Sequence, residues 1–257
     1  MTAGESASEP ARKSAAWWDD FWARPLDATG RALTCRRTAE QALALLRQEL
    51  ARMPADTRLR VLDLGCGHGD LTPLLLEEPR LEIVALDLSA AALGQFRDRI
   101  GEAHAGRLTL VRASAYELPF ADAAFDVLVS FGYASAASYA GVEREVARVL
   151  RPGGVAIVDF ANPSLYYWVA TPGQTLRWRR HYFDPANPTY HFGRGGLREH
   201  FGAAGLRLEA IRYLNGYPPL ERIAGAAWSA ALDRWLTRLA GPLLGRVLLA
   251  RLRRNGL

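Results

Sequence analysis

VLDLGCGHGD, residues 61–70, places Gly65, Gly67 and Gly69 directly after an apolar run that carries a carboxylate at Asp63. A β-type run that breaks into alternating glycines is a strand passing into a loop whose backbone must come close to a ligand. Each missing Cβ removes a clash and opens positive φ. Downstream, apolar runs keep alternating with helical ones: LEIVALDL and SAAALGQFRDRI, then RLTLVRA, then FDVLVSF and YAGVEREVARVL, then GGVAIVDF. A parallel crossover needs a helix to return the chain, so five such strands between residues 59 and 160 predict βαβ units in a doubly wound sheet. Ligands of such sheets sit beyond the carboxyl ends of the strands, which is where the glycines fall.

Outward from this core the pattern changes. WWDDFW at 17–22 and the Ala and Leu spacing over 38–52 predict N-terminal helices. Residues 160–193 hold nine aromatics, four prolines and two histidines, an ordered connection over the ligand edge of the sheet. GGLREHFGAAG predicts a helix and LRLEAIRYL a sixth strand, and RVLLARLRR a seventh. Within 220–240, Ala224, Trp228, Leu232, Trp235 and Leu239 share one helical face, expected to pack on the core. The other reading joins that face to Arg246, Arg251, Arg253 and Arg254 as a peripheral membrane contact through 220–257.

The 257 residues suit one globular domain over 17–257 behind a disordered tail, 1–16. The cofactor core is placed at about 59–160, the acceptor-side connection at about 160–193, and the C-terminal helix and last strand at about 220–254. The first residues lack an apolar stretch of signal-peptide type, and no apolar run reaches membrane-spanning length. Two cysteines are too few for a disulfide framework, so a cytoplasmic location is expected, with the inner membrane surface as the peripheral alternative. The net charge of +5 is local: six arginines and Asp233 alone fall in 227–257, which leaves the body neutral and argues against a nucleic-acid partner. The His and Cys residues lack metal-ligand spacing, so no metal is expected.

The glycine spacing is G-x-G-x-G, not the G-x-G-x-x-G of dinucleotide sites, and Asp63 beside it would repel a phosphate. A cofactor with a cationic head fits better. Asp87, at the end of the second strand and 22 residues past Gly65, stands where an acid accepts ribose hydroxyls. S-adenosylmethionine has both parts.

On these residues the chain resembles class I S-adenosylmethionine-dependent methyltransferases. VLDLGCGHGDLT resembles their first motif, IVALDLS the acidic second, ASAYELPFADAAFDVLVS the third and fourth, and REVARVLRPGGVAIVDF the helix and strand of the fifth. The resemblance implies a doubly wound, mostly parallel, seven-stranded Rossmann-like α/β sheet with N-terminal helices and a C-terminal amphipathic helix. It further implies that Asp63 and the backbone of Gly65, Cys66, Gly67 and Gly69 hold the methionine portion, Asp87 the ribose, Leu88 an adenine face, and Ser114 and Ala115 the adenine edge. Ser114 stands where the family often has an acid. His68 stands where a small hydroxyl residue is common and is read as filling the loop.

Methyl transfer needs alignment first and a base only for a hydroxyl or protonated amine. Base candidates are His181 and His191, with Tyr133 just after the fourth strand; each also reads as a packing residue. Trp17, Trp18 and Trp22 at one end and Tyr166, Tyr167, Trp168, Trp178, Tyr182 and Phe183 at the other suit a lid, and hence a small apolar or lipid-like acceptor. O-methylation is favoured, with N and C open. The rival readings are a NAD-type oxidoreductase and a non-catalytic S-adenosylmethionine-binding module.

Overall fold

The computed structural model describes residues 14–23, 36–101, 104, 106–132, 141–162, 194–214, 235, 238–243, 245 and 247–256. Seven strands form one sheet: β1 (Leu59–Leu64), β2 (Leu81–Asp87), β3 (Leu108–Arg112), β4 (Phe125–Ser130), β5 (Leu150–Ala161), β6 (Leu206–Leu214) and β7 (Val247–Arg254). Their order is β3-β2-β1-β4-β5-β7-β6. The first five pair in parallel, and β7 enters antiparallel between β5 and β6. Seven mostly parallel strands with helical crossovers are the architecture that the alternating runs predict.

The helices are α1 (Ala15–Ala23), α2 (Arg36–Leu50), α3 (Thr72–Leu76), α4 (Ala90–Ile100), α5 (Val142–Val149) and α6 (Arg194–Ala203). Helix α1 includes Ala15 and Ala16, which were expected to belong to the tail; residues 1–13 lie outside the described residues. Ser89 caps α4 by accepting from the Ala92 N–H at 3.1 Å. Apolar clusters cover both sheet faces: Leu62, Leu64, Val158 and Phe160 join α5 and α6 on one, and Val61, Val129, Ile157 and Leu249 join α2 and α3 on the other.

On that second face Arg251 of β7 binds Glu49 of α2 at 2.6 Å and Glu209 of β6 at 3.0 Å, and Arg253 binds the same two carboxylates at 2.9 and 2.7 Å. Arg254 donates to the carbonyls of Arg148 and Leu150. The basic end of the chain is therefore engaged with the body of the protein.

The expected C-terminal helix is described in part: Trp235 and residues 238–243 are helical, while Ala224, Trp228 and Leu232 lie outside the described residues. Trp235 and Leu239 are 58% and 66% exposed, so at these positions the apolar face meets solvent and not the core. The reason is the opposite face. A Cβ on Gly241 or Gly245 would stand 2.8 Å from the Tyr213 side chain, so the segment packs on β6 by its glycines.

Candidate active site

At the carboxyl end of β1 the chain turns through Gly65, Gly67 and Gly69, with φ of 73°, 55° and 81°. The turn is pinned at its start, where the N–H groups of Gly65 and Cys66 both donate to the Leu86 carbonyl of β2, at 2.8 and 3.0 Å. A side chain on Gly69 would run into the Phe96 ring, 2.4 Å from an added Cβ.

Two buried carboxylates flank this loop. Asp63 is 2% exposed, and the Thr72 hydroxyl donates to its Oδ2 at 2.6 Å. Burial pushes its carboxyl up to about 7, against the Thr72 hydrogen bond and with help from the Asp87 charge. Asp87 is 9% exposed; its two oxygens accept from the N–H groups of Gly67 and Ser89, each at 2.9 Å, and burial raises its pKa too. Among the described residues no cation pairs with either. Two buried carboxylates lacking a counter-charge suit a ligand that brings positive charge and hydroxyl donors.

The other residues expected at the cofactor site lie around the same edge. Cys66 has its thiol pushed well above the ordinary range, first by burial and then by the charges of Asp63 and Asp87, so it serves through backbone and shape. Leu88 is half-buried, and its carbonyl accepts from Arg112 Nε at 3.1 Å. Ser114 Oγ accepts from the Tyr116 N–H at 3.2 Å, which leaves the hydroxyl hydrogen free to donate, and Ala115 is buried beside it. His68 is 4% exposed; its ring lies 4.9 Å from the Trp22 ring and its carbonyl accepts from Arg99 at 2.9 Å. His181, His191 and Tyr133 lie outside the described residues, as do Tyr166, Tyr167, Trp168, Trp178, Tyr182 and Phe183.

Helix α1 lies across the cradle. Trp22 covers Gly67 so closely that an added Cβ would be 2.8 Å from its ring, and the Trp22 carbonyl accepts from Gln95 of α4 at 2.8 Å. Asp19 accepts from Ser89 Oγ at 2.7 Å and from the Ala91 N–H at 3.1 Å, with Arg112 3.5 Å from its other oxygen.

Sequence reading missed Asp159, which sits near the end of β5, 6% exposed, and whose Oδ1 accepts from the Gly132 N–H at 2.8 Å just past β4. Burial pushes this carboxyl, too, up to about 7. The signal available was an acid in the otherwise apolar run VAIVDF, at the carboxyl end of a parallel strand.

Residues 61–154 match the family described as Methyltransferase domain. Residues 61–154 thus form a methyltransferase domain. S-adenosylmethionine is the methyl donor of this domain class, and the cradle of Asp63, Asp87 and the glycines fits it. The chain is 38% identical over 112 residues to the demethylmenaquinone methyltransferase of Listeria welshimeri, covering 42% of this chain and 48% of that one. It is 39% identical over 107 residues to the enzyme of the same name from Thermus thermophilus, covering 40% and 48%. The chain thus spans about half the length of the curated relatives it matches. An S-adenosylmethionine-dependent methyltransferase from Mesorhizobium loti superposes with a TM-score of 0.56 at 22% identity, over 79% of this chain and 94% of that one, and so shares the fold.

Proposed function

We propose that the protein transfers the methyl group of S-adenosylmethionine to a small, apolar, lipid-like acceptor. The observation that carries this reading is the pair of buried carboxylates, Asp63 and Asp87, on adjacent strands around the positive-φ loop. Asp63 receives the ammonium of the methionine portion, and the second lone pairs of the Asp87 oxygens accept the ribose hydroxyls. The bound cofactor supplies an already activated methyl carbon on a sulfonium. The protein's work is to hold that carbon and the acceptor atom in line and to exclude water, which the aromatic helix α1 does from above.

The acceptor class is supported from two sides. The matched relatives are named for demethylmenaquinone, a lipid-like quinone. Independently, Trp235, Leu239 and Leu243, four residues apart, are 58%, 66% and 62% exposed, an apolar stripe suited to a lipid surface. The segment that bears it is tied to the end of β5, where Asn162 Nδ2 donates to the carbonyls of Pro242 at 3.1 Å and Gly245 at 2.7 Å.

Calorimetry with S-adenosylmethionine and with NAD tests the cofactor assignment. Micromolar binding of the first and none of the second is expected, and the reverse order would sink it. Release of S-adenosylhomocysteine in the presence of reduced demethylmenaquinone then separates an enzyme from a binding module.

A further inference from the structure

We propose that Thr72 is a positioning residue of the cofactor site: its hydroxyl holds Oδ2 of Asp63 and so leaves Oδ1 turned toward the ammonium of the methionine portion, a role resting on the cofactor reading above. The bond is short, 2.6 Å, and runs from the first turn of α3 back nine residues to β1. Thr72 is fully buried. A threonine at a helix start ordinarily spends its hydroxyl on nearby backbone. Here Leu71 stands at the N-cap of α3 with no side-chain hydrogen bond, and the Thr72 hydroxyl goes to the strand instead. Leu71, Leu75 and Leu76 of the same stretch are buried in the apolar cluster on the α2 face, so the hydroxyl is in place before any ligand arrives.

The two carboxylates of the cradle are supported differently. Asp87 accepts from the N–H groups of Gly67 and Ser89, donors that the backbone itself fixes. For Asp63 the Thr72 hydroxyl is the one donor among the described residues. Its register partners are Ala85 of β2 and Val129 of β4, which carry no charge. The titratable groups that face it are the Asp87 carboxyl at the end of β2 and the Cys66 thiol of the loop, and neither brings positive charge. Burial and the Asp87 charge therefore favour a neutral Asp63, and Thr72 opposes both.

The hydroxyl thus governs the pH at which the cradle is ready for a cation. Its removal has a signature that a loosened α3 lacks, because an affinity lost through protonation of Asp63 returns when the pH is raised.

The test uses the full chain, with Thr72→Val, which keeps the shape and removes the donor, and Thr72→Ser, which keeps the donor. Carbon-13 NMR of the ligand-free protein reads the Asp63 carboxyl directly. Its midpoint, about 7 in the wild type, should rise by about 1–2 pH units in Thr72→Val and stay within about 0.3 in Thr72→Ser. By calorimetry at pH 6.5, Thr72→Val should bind S-adenosylmethionine about tenfold or more weaker than wild type, and at pH 9 the difference should shrink to within about threefold. At pH 9 the cofactor's own amino group loses its proton for both proteins alike, so the ratio isolates Asp63. A midpoint that does not move in Thr72→Val overturns the proposal, and so does a loss of affinity that is equal at the two pH values. If Thr72→Val does not fold, Thr72→Ser decides alone: wild-type midpoint and affinity support the role, and a tenfold weaker Kd overturns it. Wild-type protein that does not bind S-adenosylmethionine sinks the cofactor reading and this role with it, whatever the carboxyl midpoint does.

Discussion

With its carboxyl held at about 7, Asp63 is protonated in the folded protein across a pH range in which the unfolded chain, near 3.8, already carries it ionised. The contribution of that proton to stability is complete below pH 4 and is lost as pH rises through 7, so the free protein carries an ionised, buried Asp63 at pH 8. Asp63→Asn, which can still accept from the Thr72 hydroxyl, should therefore raise the stability of the ligand-free protein at pH 8 by about 1–3 kcal/mol in urea titration. The same substitution should weaken S-adenosylmethionine about 50-fold or more by calorimetry, since a charged hydrogen bond of this kind contributes about 1.5–3 kcal/mol. Wild-type affinity should fall below pH 7 by about tenfold per pH unit, because the bound cation requires the ionised form. A variant that lost stability and kept its affinity would remove Asp63 from the cradle. Asp63 and Asp87 were legible in the sequence because the glycines mark the loop and strand ends place the acids. Asp159 was not, since VAIVDF carries no glycine or turn next to its acid, and the Gly132 N–H that fixes it is 27 residues away.

At the level of elements, α1 is joined to α4 by two devices, Asp19 on the Ser89 hydroxyl and the Ala91 N–H, and the Trp22 carbonyl on Gln95. Ser89 caps Ala92 on its own, so α4 does not need Asp19 to begin. The extra acid therefore holds α1 down over the glycine loop more than it builds α4. Asp19→Ala should cost about 1 kcal/mol of overall stability. Its larger effect should be on cofactor release: stopped-flow tryptophan fluorescence should show dissociation about fivefold faster with association within twofold, as expected when a covering element is loosened. Equal rates in variant and wild type would mean that α1 is packing and not a cover. The aromatic content of 17–22 pointed to a lid, but the latch did not show in the sequence: Asp19 and its partner Ser89 are 70 residues apart. The exposure of Trp235 and Leu239, expected to pack on the core, was hidden for a related reason. A helical face of Trp and Leu looks like core, yet the close approach of Gly241 and Gly245 to Tyr213 decides which side is buried.

For the whole molecule, no helix among the described residues is long and apolar enough to cross a membrane. A lipid-like acceptor would be met at a surface, and Trp235, Leu239 and Leu243 are the exposed apolar side chains proposed above to touch one. Replacing all three with Ser should lower vesicle binding about tenfold in sedimentation. Because Arg251 and Arg253 are bound to Glu49 and Glu209, binding should change little between neutral and anionic vesicles or with salt. Strong dependence on anionic lipid would instead mean that these arginines leave their partners. The alternation of strands and helices made the sheet legible from end to end, including its seventh strand. Sequence order could not tell that the seventh strand lies inside the sheet, between the fifth and the sixth.

That placement also sets an order of events during synthesis. The outer edge of β5 and the inner edge of β6 both pair with β7, the last of the seven strands to be made. At ordinary elongation rates of about 5–20 residues per second, the stretch from the end of β5 to the start of β7 keeps β5 waiting for about 4–17 s. Through that interval the nascent chain presents an unpaired, apolar strand edge that carries Asp159. Until β7 is made, that edge is open to pairing with another chain.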